Sequence, residues 1–415
     1  FFNNGGSGQL NMTGGSVTAR IVSFASGNNN VATVSGTGVI TDGTLNSRQW
    51  FTLGFAGSSS NVASVTNDGG IININTVGGG VMEMGVFDAT TNTFTLNNGN
   101  VNLQNNASIG YGQGGNHTGT STFLQNGGSV TFFSDAGFTV GGSGSVNLGN
   151  GGSTGNYSYN LSGGTLTAPS ISKVSAAANG SFNFNGGTLR ATTSTTTFMQ
   201  GLTAANVQTG GAVIDSNGNN ITIAQPLLAS GSGGLTKLGA GTLILSGANT
   251  YVGDTIVQSG GQLTLADNAQ LRFVVDSGGA GNRITGDGTV QLDGDFVIDL
   301  TDAPATATSS VVLVDVDNLS ETYGSTFTVA GWTEESPGVW ASPTGSYRFT
   351  EATGILEGYS APIISQQPTG VLAQEGTAVS LSVSASGFGT LTYRWYRNGV
   401  LIPGEVGDTL TLGAL

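Results

Sequence analysis

Two six-residue stretches decide the fold of this chain: Ser162-Gly163-Gly164-Thr165-Leu166-Thr167 and Asn185-Gly186-Gly187-Thr188-Leu189-Arg190. Each has two glycines, then a small polar residue and an aliphatic residue set between polar ones. The same pattern recurs in both directions from this pair, at 13–18, 126–131, 209–214 and 259–264. The first glycine of the pair returns after 23 residues at position 186 and after a further 24 at position 210. A repeat with a period in the twenties therefore organises most of the chain.

Short strands fill the space between the glycine pairs. Ser181-Phe182-Asn183-Phe184 and Asn220-Ile221-Thr222-Ile223 alternate between polar and apolar residues with a period of two, and hardly any stretch has helical spacing. Short strands in a repeat of this length are typical of a solenoid. We predict an all-β fold, a right-handed parallel β-helix with about three strands in each coil, whose inward apolar side chains stack between coils. Glycine and asparagine take the corners because both accept positive φ.

Composition limits the classes of protein that fit. The 415 residues include 71 glycines and no cysteine, and only 8% are charged, far from an ordinary globular average. Ten basic against 24 acidic residues give a net charge of −14, which repels phosphate, so we predict no nucleic acid partner. We also predict no membrane-spanning segment, because no apolar run reaches about 18 residues. The opening at Phe1, without a methionine or signal peptide, indicates a processed or excerpted chain.

The segment 233–265, GGLTKLGAGTLILSGANTYVGDTIVQSGGQLTL, carries a family resemblance. It closely resembles the autotransporter-associated β-strand repeat. In it Leu243 and Leu245 alternate with polar residues in one short strand, and Ile256 and Leu263 lie in the next two. The resemblance implies coils of a parallel β-helix in the passenger region of a bacterial surface protein. It also implies export, an extracellular location at the cell surface, and a structural or adhesive role.

The chain divides into three parts in our interpretation. We predict β-helix repeats over 1–268, a C-terminal β-rich cap of the solenoid over 269–360, and an incomplete immunoglobulin-like domain over 361–415. The cap follows from the need to shield the last coil. In the third part, Trp395 is the expected core tryptophan of a β-sandwich. Such a sandwich has about 100 residues, so its other strands come from chain beyond Leu415 or from another copy by β-augmentation.

Carboxylates cluster after the repeats and form a weak candidate metal site. Asp293 and Asp295 share one strand face, and Asp315 and Asp317 share another, which is compatible with an oxygen-ligand Ca²⁺ site. The alternative is that these groups are solvated turn residues that discourage aggregation at exposed edges. We predict no catalytic residue and no cofactor apart from this candidate Ca²⁺.

Three functions are compatible with this reading. The first is a non-enzymatic extracellular surface protein, a β-helical stalk or adhesin passenger. The second is a self-assembling subunit of an extracellular filament or sheath, joined head to tail or laterally. The third is a polysaccharide-acting β-helix enzyme, which the sparse and scattered acidic residues before Leu265 argue against. The repeated Asn, Ser and Thr residues are turn formers and side-chain ladders on a solvated face or, alternatively, a surface that binds glycans.

Overall fold

The computed structural model describes residues 7–24, 35–54, 62–74, 81–85, 90–112, 118–133, 145–304, 310–359, 362–387 and 391–413. Within these ranges the regular structure is entirely β, and no helix is present that would be long and apolar enough to cross a membrane. The chain divides into two compact units. The first unit is Phe1–Val274, Asn282–Asp299 and Val314–Ala330, and the second is Val275–Gly281, Leu300–Leu313 and Gly331–Leu415.

Strands follow one another closely along the repeat region. They are β1 (Ser7–Phe24), β2 (Ser35–Leu53), β3 (Val62–Ile74), β4 (Met82–Met84), β5 (Thr91–Leu103), β6 (Ala107–Gly112), β7 (Thr120–Gln125), β8 (Ser129–Phe132), β9 (Val146–Gly151), β10 (Asn156–Leu161), β11 (Thr165–Ala168), β12 (Ile171–Ser172), β13 (Asn179–Phe184), β14 (Thr188–Ala191), β15 (Thr195–Gln200), β16 (Ala204–Val207), β17 (Ala212–Asp215), β18 (Ile221–Ile223), β19 (Leu227–Ala229), β20 (Leu235–Leu238), β21 (Gly241–Leu245), β22 (Ala248–Asn249), β23 (Thr255–Val257) and β24 (Gly261–Leu265).

The remaining strands continue to the end of the described chain. They are β25 (Gln270–Val274), β26 (Ile284–Gly286), β27 (Thr289–Leu292), β28 (Asp295–Asp299), β29 (Ser310–Val312), β30 (Ser320–Tyr323), β31 (Thr328–Val329), β32 (Thr333–Ser336), β33 (Val339–Ala341), β34 (Tyr347–Thr350), β35 (Ile355–Gly358), β36 (Ile363–Gln366), β37 (Val379–Ser382), β38 (Ser384–Ser386), β39 (Tyr396–Arg397), β40 (Val400–Leu401) and β41 (Thr409–Leu412).

Strands of successive coils pair in parallel and form three ladders. The first ladder runs from the N-terminal parts of β1, β2, β3 and β5 through β7, β10, β13, β16 and β19. The second runs from the middle of β1 and β2 and the ends of β3 and β5 through β8, β11, β14, β17, β20, β23 and β26. The third runs from the ends of β1 and β2 through β4, β6, β9, β12, β15, β18, β21, β24, β27 and β30. The predicted parallel β-solenoid is confirmed, and its right-handedness stays a prediction.

Parallel coils continue beyond residue 268. Strand β25 pairs in parallel with β22 and β28, and β28 pairs with β31, which ends at Val329. The third ladder likewise reaches Tyr323. The structure thus places coils within the range that we assigned to the cap, and the division at 268 and 360 stays a prediction.

An aromatic row lies inside the first ladder. Phe94, Phe123, Tyr159 and Phe182 occupy equivalent inward positions of consecutive coils and are almost fully buried. Their ring centroids are 4.7, 4.6 and 5.3 Å apart, and the rings are stacked. The alternation of the strands places these rings inside because successive side chains point to opposite faces. Each ring pair adds about 0.5–1.5 kcal/mol beyond the burial of its area.

The glycine pairs lie at the corners, as predicted, and two steric reasons require glycine there. Gly128 and Gly164 occupy the same corner of successive coils with φ of 64° and 65°. A Cβ on Gly164 would lie 2.1 Å from the carbonyl oxygen of Gly128. Positive φ and close backbone approach both select glycine, so the pair fixes where each coil turns.

The second unit contains an antiparallel sheet in the order β29, β35, β34, β33, β32. Trp340 and Phe349 are buried in it, and Trp340 Nε1 donates to Glu351 Oε1 at 2.7 Å. The following residues form three separate antiparallel strand pairs, β36 with β38, β37 with β41 and β39 with β40. Trp395 is half-buried there and donates through Nε1 to the carbonyl oxygen of Gly407 at 2.9 Å. The cap and the immunoglobulin-like domain stay predictions.

Candidate binding surface

A polar trough crosses the outward face of the first ladder. Its volume is about 330 Å³ and it is open to solvent. It is lined by outward residues of β10 and β13, namely Asn156, Ser158, Asn179, Ser181 and Asn183, together with Thr120, Tyr157 and Thr203. The pattern of the strands explains the arrangement, since their inward positions carry aromatic or small buried residues and their outward positions carry Asn and Ser.

Asparagine rows form the sides of the trough. Asn179 Nδ2 donates to Asn156 Oδ1 at 3.0 Å on one side. On the other side Asn206 Nδ2 donates to Asn183 Oδ1 at 2.7 Å, and Asn183 Nδ2 donates in turn to Asn160 Oδ1. The amides therefore hold one another in a fixed orientation along the solenoid. The Asn156–Asn179 pair follows the register of β10 with β13, and the row of Asn160, Asn183 and Asn206 follows that of β10, β13 and β16.

Small hydroxyl groups form the floor between the two rows. Ser158 and Ser181 are register partners on β10 and β13, half-buried and shorter than the flanking asparagines. The Ser158 hydroxyl donates to Thr122 Oγ1 at 3.2 Å. At one end, Thr203 Oγ1 accepts a hydrogen bond from the backbone N–H of Gly180 at 3.1 Å. The trough is thus a groove of neutral donors and acceptors.

The chemistry of the trough suits binding. Its lining residues are uncharged. General acid–base catalysis needs a titratable group near the reacting atoms, and the titratable side chain of this lining, Tyr157, is 1% exposed. Amides and hydroxyls offer hydrogen bonds in both directions instead. The arrangement can therefore hold a polar, uncharged ligand.

The predicted calcium candidates lie at two places in the first unit. Asp293 lies between β27 and β28 and Asp295 begins β28, while Asp315 and Asp317 lie between β29 and β30, so the prediction that each pair shares a strand face is wrong. The Asp293 carboxylate accepts from Gln291 Nε2 at 2.8 Å, and the Asp295 carboxylate accepts from Thr328 Oγ1 at 2.5 Å. Asp315 accepts from Thr285 Oγ1 and from Asn318 Nδ2, while Asp317 is exposed. Over the described ranges, no three acidic or histidine side chains form a group that would hold a metal ion. Calcium binding stays a prediction.

Two buried ionisable residues were not predicted from the sequence. Glu83, in β4, is 1% exposed, and burial raises the pKa of its carboxyl group from 4.5 to about 8. Glu83 lies between Met82 and Met84 in the strand, so its side chain points to the opposite face from theirs. Thr52 and Ser108 are its register partners on the neighbouring coils and are buried too. The sequence carried no signal for this burial, because a strand pattern does not show what covers the outer face.

Lys237 occupies an inward position of the second ladder. It is paired with Ile214 in the preceding coil and with Val257 in the next, and it is fully buried. Its ammonium group donates to the carbonyl oxygens of Leu238 and Gly239 at 2.7 and 2.6 Å. Burial lowers the pKa of this ammonium group to about 8, and the charge of Asp215 opposes that shift. The side chain thus fills the core with its stem and satisfies the corner carbonyls with its end.

Comparison with known proteins agrees with this architecture. The passenger-associated transport repeat family matches residues 235–265, the segment that contains β20, β21, β23 and β24. The adhesin BmaC autotransporter of Brucella suis biovar 1 (strain 1330) is 30% identical to this chain over 244 residues. That match covers 55% of this chain and 6% of the relative, so the chain spans a small part of the relative's length. No solved structure matches the chain.

The matched repeat and the similarity to an autotransporter adhesin support a passenger-type repeat in the described parallel solenoid. The same similarity supports an extracellular location at the cell surface. The predicted resemblance is thereby confirmed for the repeat region.

Proposed function

We propose that this chain is a non-enzymatic adhesive passenger, which presents an uncharged polar surface outside the cell. The observation that carries the proposal is the similarity over 244 residues to an autotransporter adhesin, in a chain whose repeats form a parallel β-solenoid. The trough supports the proposal, since its uncharged amide and hydroxyl lining suits binding. A stalk that positions another binding part is compatible with the same coils.

Adhesion is tested with microspheres that carry the purified 415-residue chain. We expect these spheres to be retained on cell monolayers and on polysaccharide-coated surfaces under flow. Spheres coated with an unrelated acidic protein of similar net charge serve as the control. Equal retention of both kinds of sphere would contradict an adhesive role. Release of reducing sugar from polygalacturonate or neutral polysaccharides would contradict the non-enzymatic part of the proposal.

A filament subunit is the second candidate, and one observation favours it. In the described residues β1 pairs only with β2, and Val17 and Ile21 of β1 are 40% and 45% exposed. Beside them lies an apolar cavity of about 370 Å³ bordered by Leu10 and Leu45. In a chain of these 415 residues, a strand that is paired on one side and carries apolar residues is a template for pairing with another chain. The occupant in this proposal is a second copy of this chain.

Electron microscopy and light scattering at rising protein concentration test the filament proposal. Self-assembly predicts regular fibres for the native chain and isolated particles for Ile21→Lys, because a lysine on an edge strand opposes pairing. Thr131→Lys, on a strand paired on both sides, is the matched control and should assemble like the native chain. Isolated particles at all concentrations would exclude the filament.

A further inference from the structure

We propose that the trough binds a neutral glycan chain, which lies across successive coils between the two asparagine rows. This inference rests on the proposed adhesive function and names its ligand class. The trough offers the ligand the amides of Asn156, Asn179 and Asn183 and the hydroxyls of Ser158 and Ser181.

The dimensions of the trough suit an extended ligand. Asn156 and Asn160 are four residues apart on one strand, so the Cα atoms of the two rows are about 13 Å apart, and the coils are spaced by about 4.8 Å. The serines between the rows are short and leave room for a ring above the floor. Because the rows cross the strands, the amides of Asn160, Asn183 and Asn206 recur in three successive coils and the hydroxyls of Ser158 and Ser181 in two. A polymer of similar units can use such a repeated pattern, while a compact molecule would engage only part of it.

Each asparagine retains hydrogen-bonding capacity after the rows have formed. A primary amide has two N–H donors and an oxygen with two lone pairs, and a row uses one donor and one lone pair of a central residue such as Asn183. Asn183 is half-buried and lines the trough. Since the rows already fix the amide orientation, a ligand loses less side-chain entropy when it binds. Hydroxyl groups of a sugar both donate and accept, which matches this mixed lining.

Charge favours neutral glycans over anionic ones. The lining of the trough has no cation to pair with a carboxylate or a sulfate. The chain as a whole carries a net charge of −14, which repels polyanions. A protein ligand is less suitable, because protein interfaces depend on buried aromatic and arginine anchors. The only aromatic residue of the lining, Tyr157, is 1% exposed.

The test uses the purified full chain with defined glycans. Binding is measured by affinity electrophoresis in gels that contain dextran, galactomannan or glucomannan, with polygalacturonate as the anionic comparison, and on a microarray of neutral glycans. We expect at least one neutral glycan to bind and polygalacturonate to leave the mobility unchanged. Absence of binding to every neutral glycan would overturn the proposal, and so would equal binding to polygalacturonate.

Three variants locate the binding site. Ser181→Phe fills the floor and should weaken binding at least about tenfold, a change of about 1.4 kcal/mol. Asn183→Ala removes one amide and should weaken binding several-fold, as expected for one hydrogen bond of about 0.5–1.5 kcal/mol. Thr131→Phe, at an outward position of the second ladder, is the matched control and should bind within about twofold of the native chain. Native binding by Ser181→Phe would overturn the assignment to the trough, and circular dichroism confirms that each variant is folded.

The two proposals can fail separately. If the coated spheres adhere but no neutral glycan binds, only the glycan inference is wrong. If a neutral glycan binds but the spheres adhere no better than the control, the adhesive function is wrong although the site exists.

Discussion

Glu83 is a buried carboxyl group whose protonation should make the stability of its coil depend on pH. Its folded-state pKa of about 8 lies above the unfolded value of 4.5, so the folded protein binds the proton more tightly. The contribution to stability is complete below about pH 4.5 and is lost as the pH rises through 8. The slope is at most about 1.4 kcal/mol per pH unit for one group.

The variant Glu83→Gln should remove this slope. We expect its free energy of unfolding to exceed that of the native chain at pH 8 by more than it does at pH 5, as measured by denaturant titration at both pH values. Glu357→Gln, at an exposed position of β35, is the matched control. Its free energy of unfolding should change between pH 5 and pH 8 by as much as that of the native chain. Parallel pH profiles for Glu83→Gln and the native chain would contradict the burial of the charged group.

Two substitutions of Lys237 separate the contribution of its buried aliphatic chain from that of its buried ammonium group. Lys237→Met preserves the volume between Ile214 and Val257, and exposed Gly239 can hydrogen-bond water instead. We expect the Met variant to lose less than about 1.5 kcal/mol of unfolding free energy. Lys237→Ala leaves a cavity and should lose about 2–4 kcal/mol, as other large-to-small core substitutions do. Equal losses in thermal or denaturant unfolding would mean that the ammonium bonds dominate.

The limits of sequence reasoning are visible at these residues. Leu243, Leu245 and Leu263 were placed in the strands of the repeat correctly, and all three are buried. In β23, however, Thr255 and Val257 point inward, while Ile256 points outward and is half-buried. A strand of three residues is too short to set its own phase, and pairing with Leu235 and Lys237 decides it. An inward lysine also reads as polar, so alternation alone does not mark position 237 as buried.

At the scale of the element, the aromatic row should act as one packed column. Phe123 stacks on Phe94 and on Tyr159 in the two adjacent coils. Phe123→Ala removes both ring contacts and leaves a cavity, so we expect a loss of about 3–5 kcal/mol in the free energy of unfolding. Tyr396→Ala, at a ring that is 57% exposed, is the control and should change it by less than about 0.5 kcal/mol. A small loss in Phe123→Ala would show that neighbouring coils collapse into the space.

The trough had a signal in the sequence, although only in part. Asn160, Asn183 and Asn206 follow one another at intervals of 23 residues, which is the spacing of the glycine pairs in this region. Their stacking could therefore be read from the period, and a glycan-binding surface was one of two interpretations of the repeated polar residues. The depth of the trough could not be read, because it depends on which face of each strand is outward. In the first coils the amides of Asn73 and Asn102 are 29 residues apart, so a single period does not fix every corner.

The candidate calcium ligands provide a prediction at the same scale. The calcium hypothesis requires that removal of the ion lowers the melting temperature, because an ion bound only to the folded state stabilises it. Under the hypothesis, a chelator lowers the melting temperature, added Ca²⁺ restores it, and Asp315→Asn shows no chelator effect. The Asp315 carboxylate already accepts hydrogen bonds from Thr285 and Asn318, which hold it in place for a ligand. The same melting temperature with and without the chelator would contradict the hypothesis.

At the scale of the whole molecule, the solenoid should behave as a one-dimensional array. Each coil in the ladders contacts the coils before and after it, so stability is a sum of coil and nearest-neighbour contributions. Strand β13 is paired on both sides, whereas β1 is paired only with β2 in the described residues. In the purified 415-residue chain we expect the backbone amide of Val22 to exchange hydrogen faster than that of Phe182, because β1 is paired on one side only in the described residues.

Local damage tests the same property, since a substitution in an array spreads only to adjacent coils. In Phe123→Ala, amide exchange should accelerate in β5, β7 and β10, which lie in neighbouring coils of the first ladder. It should stay at the native rate in β24 and β27, which belong to coils further along the chain. Hydrogen exchange followed by mass spectrometry of peptides from each coil measures both regions in one sample. Acceleration of equal size in all coils would mean that the solenoid unfolds as a single cooperative unit, and nearest-neighbour stacking would then not be the rule that governs its stability.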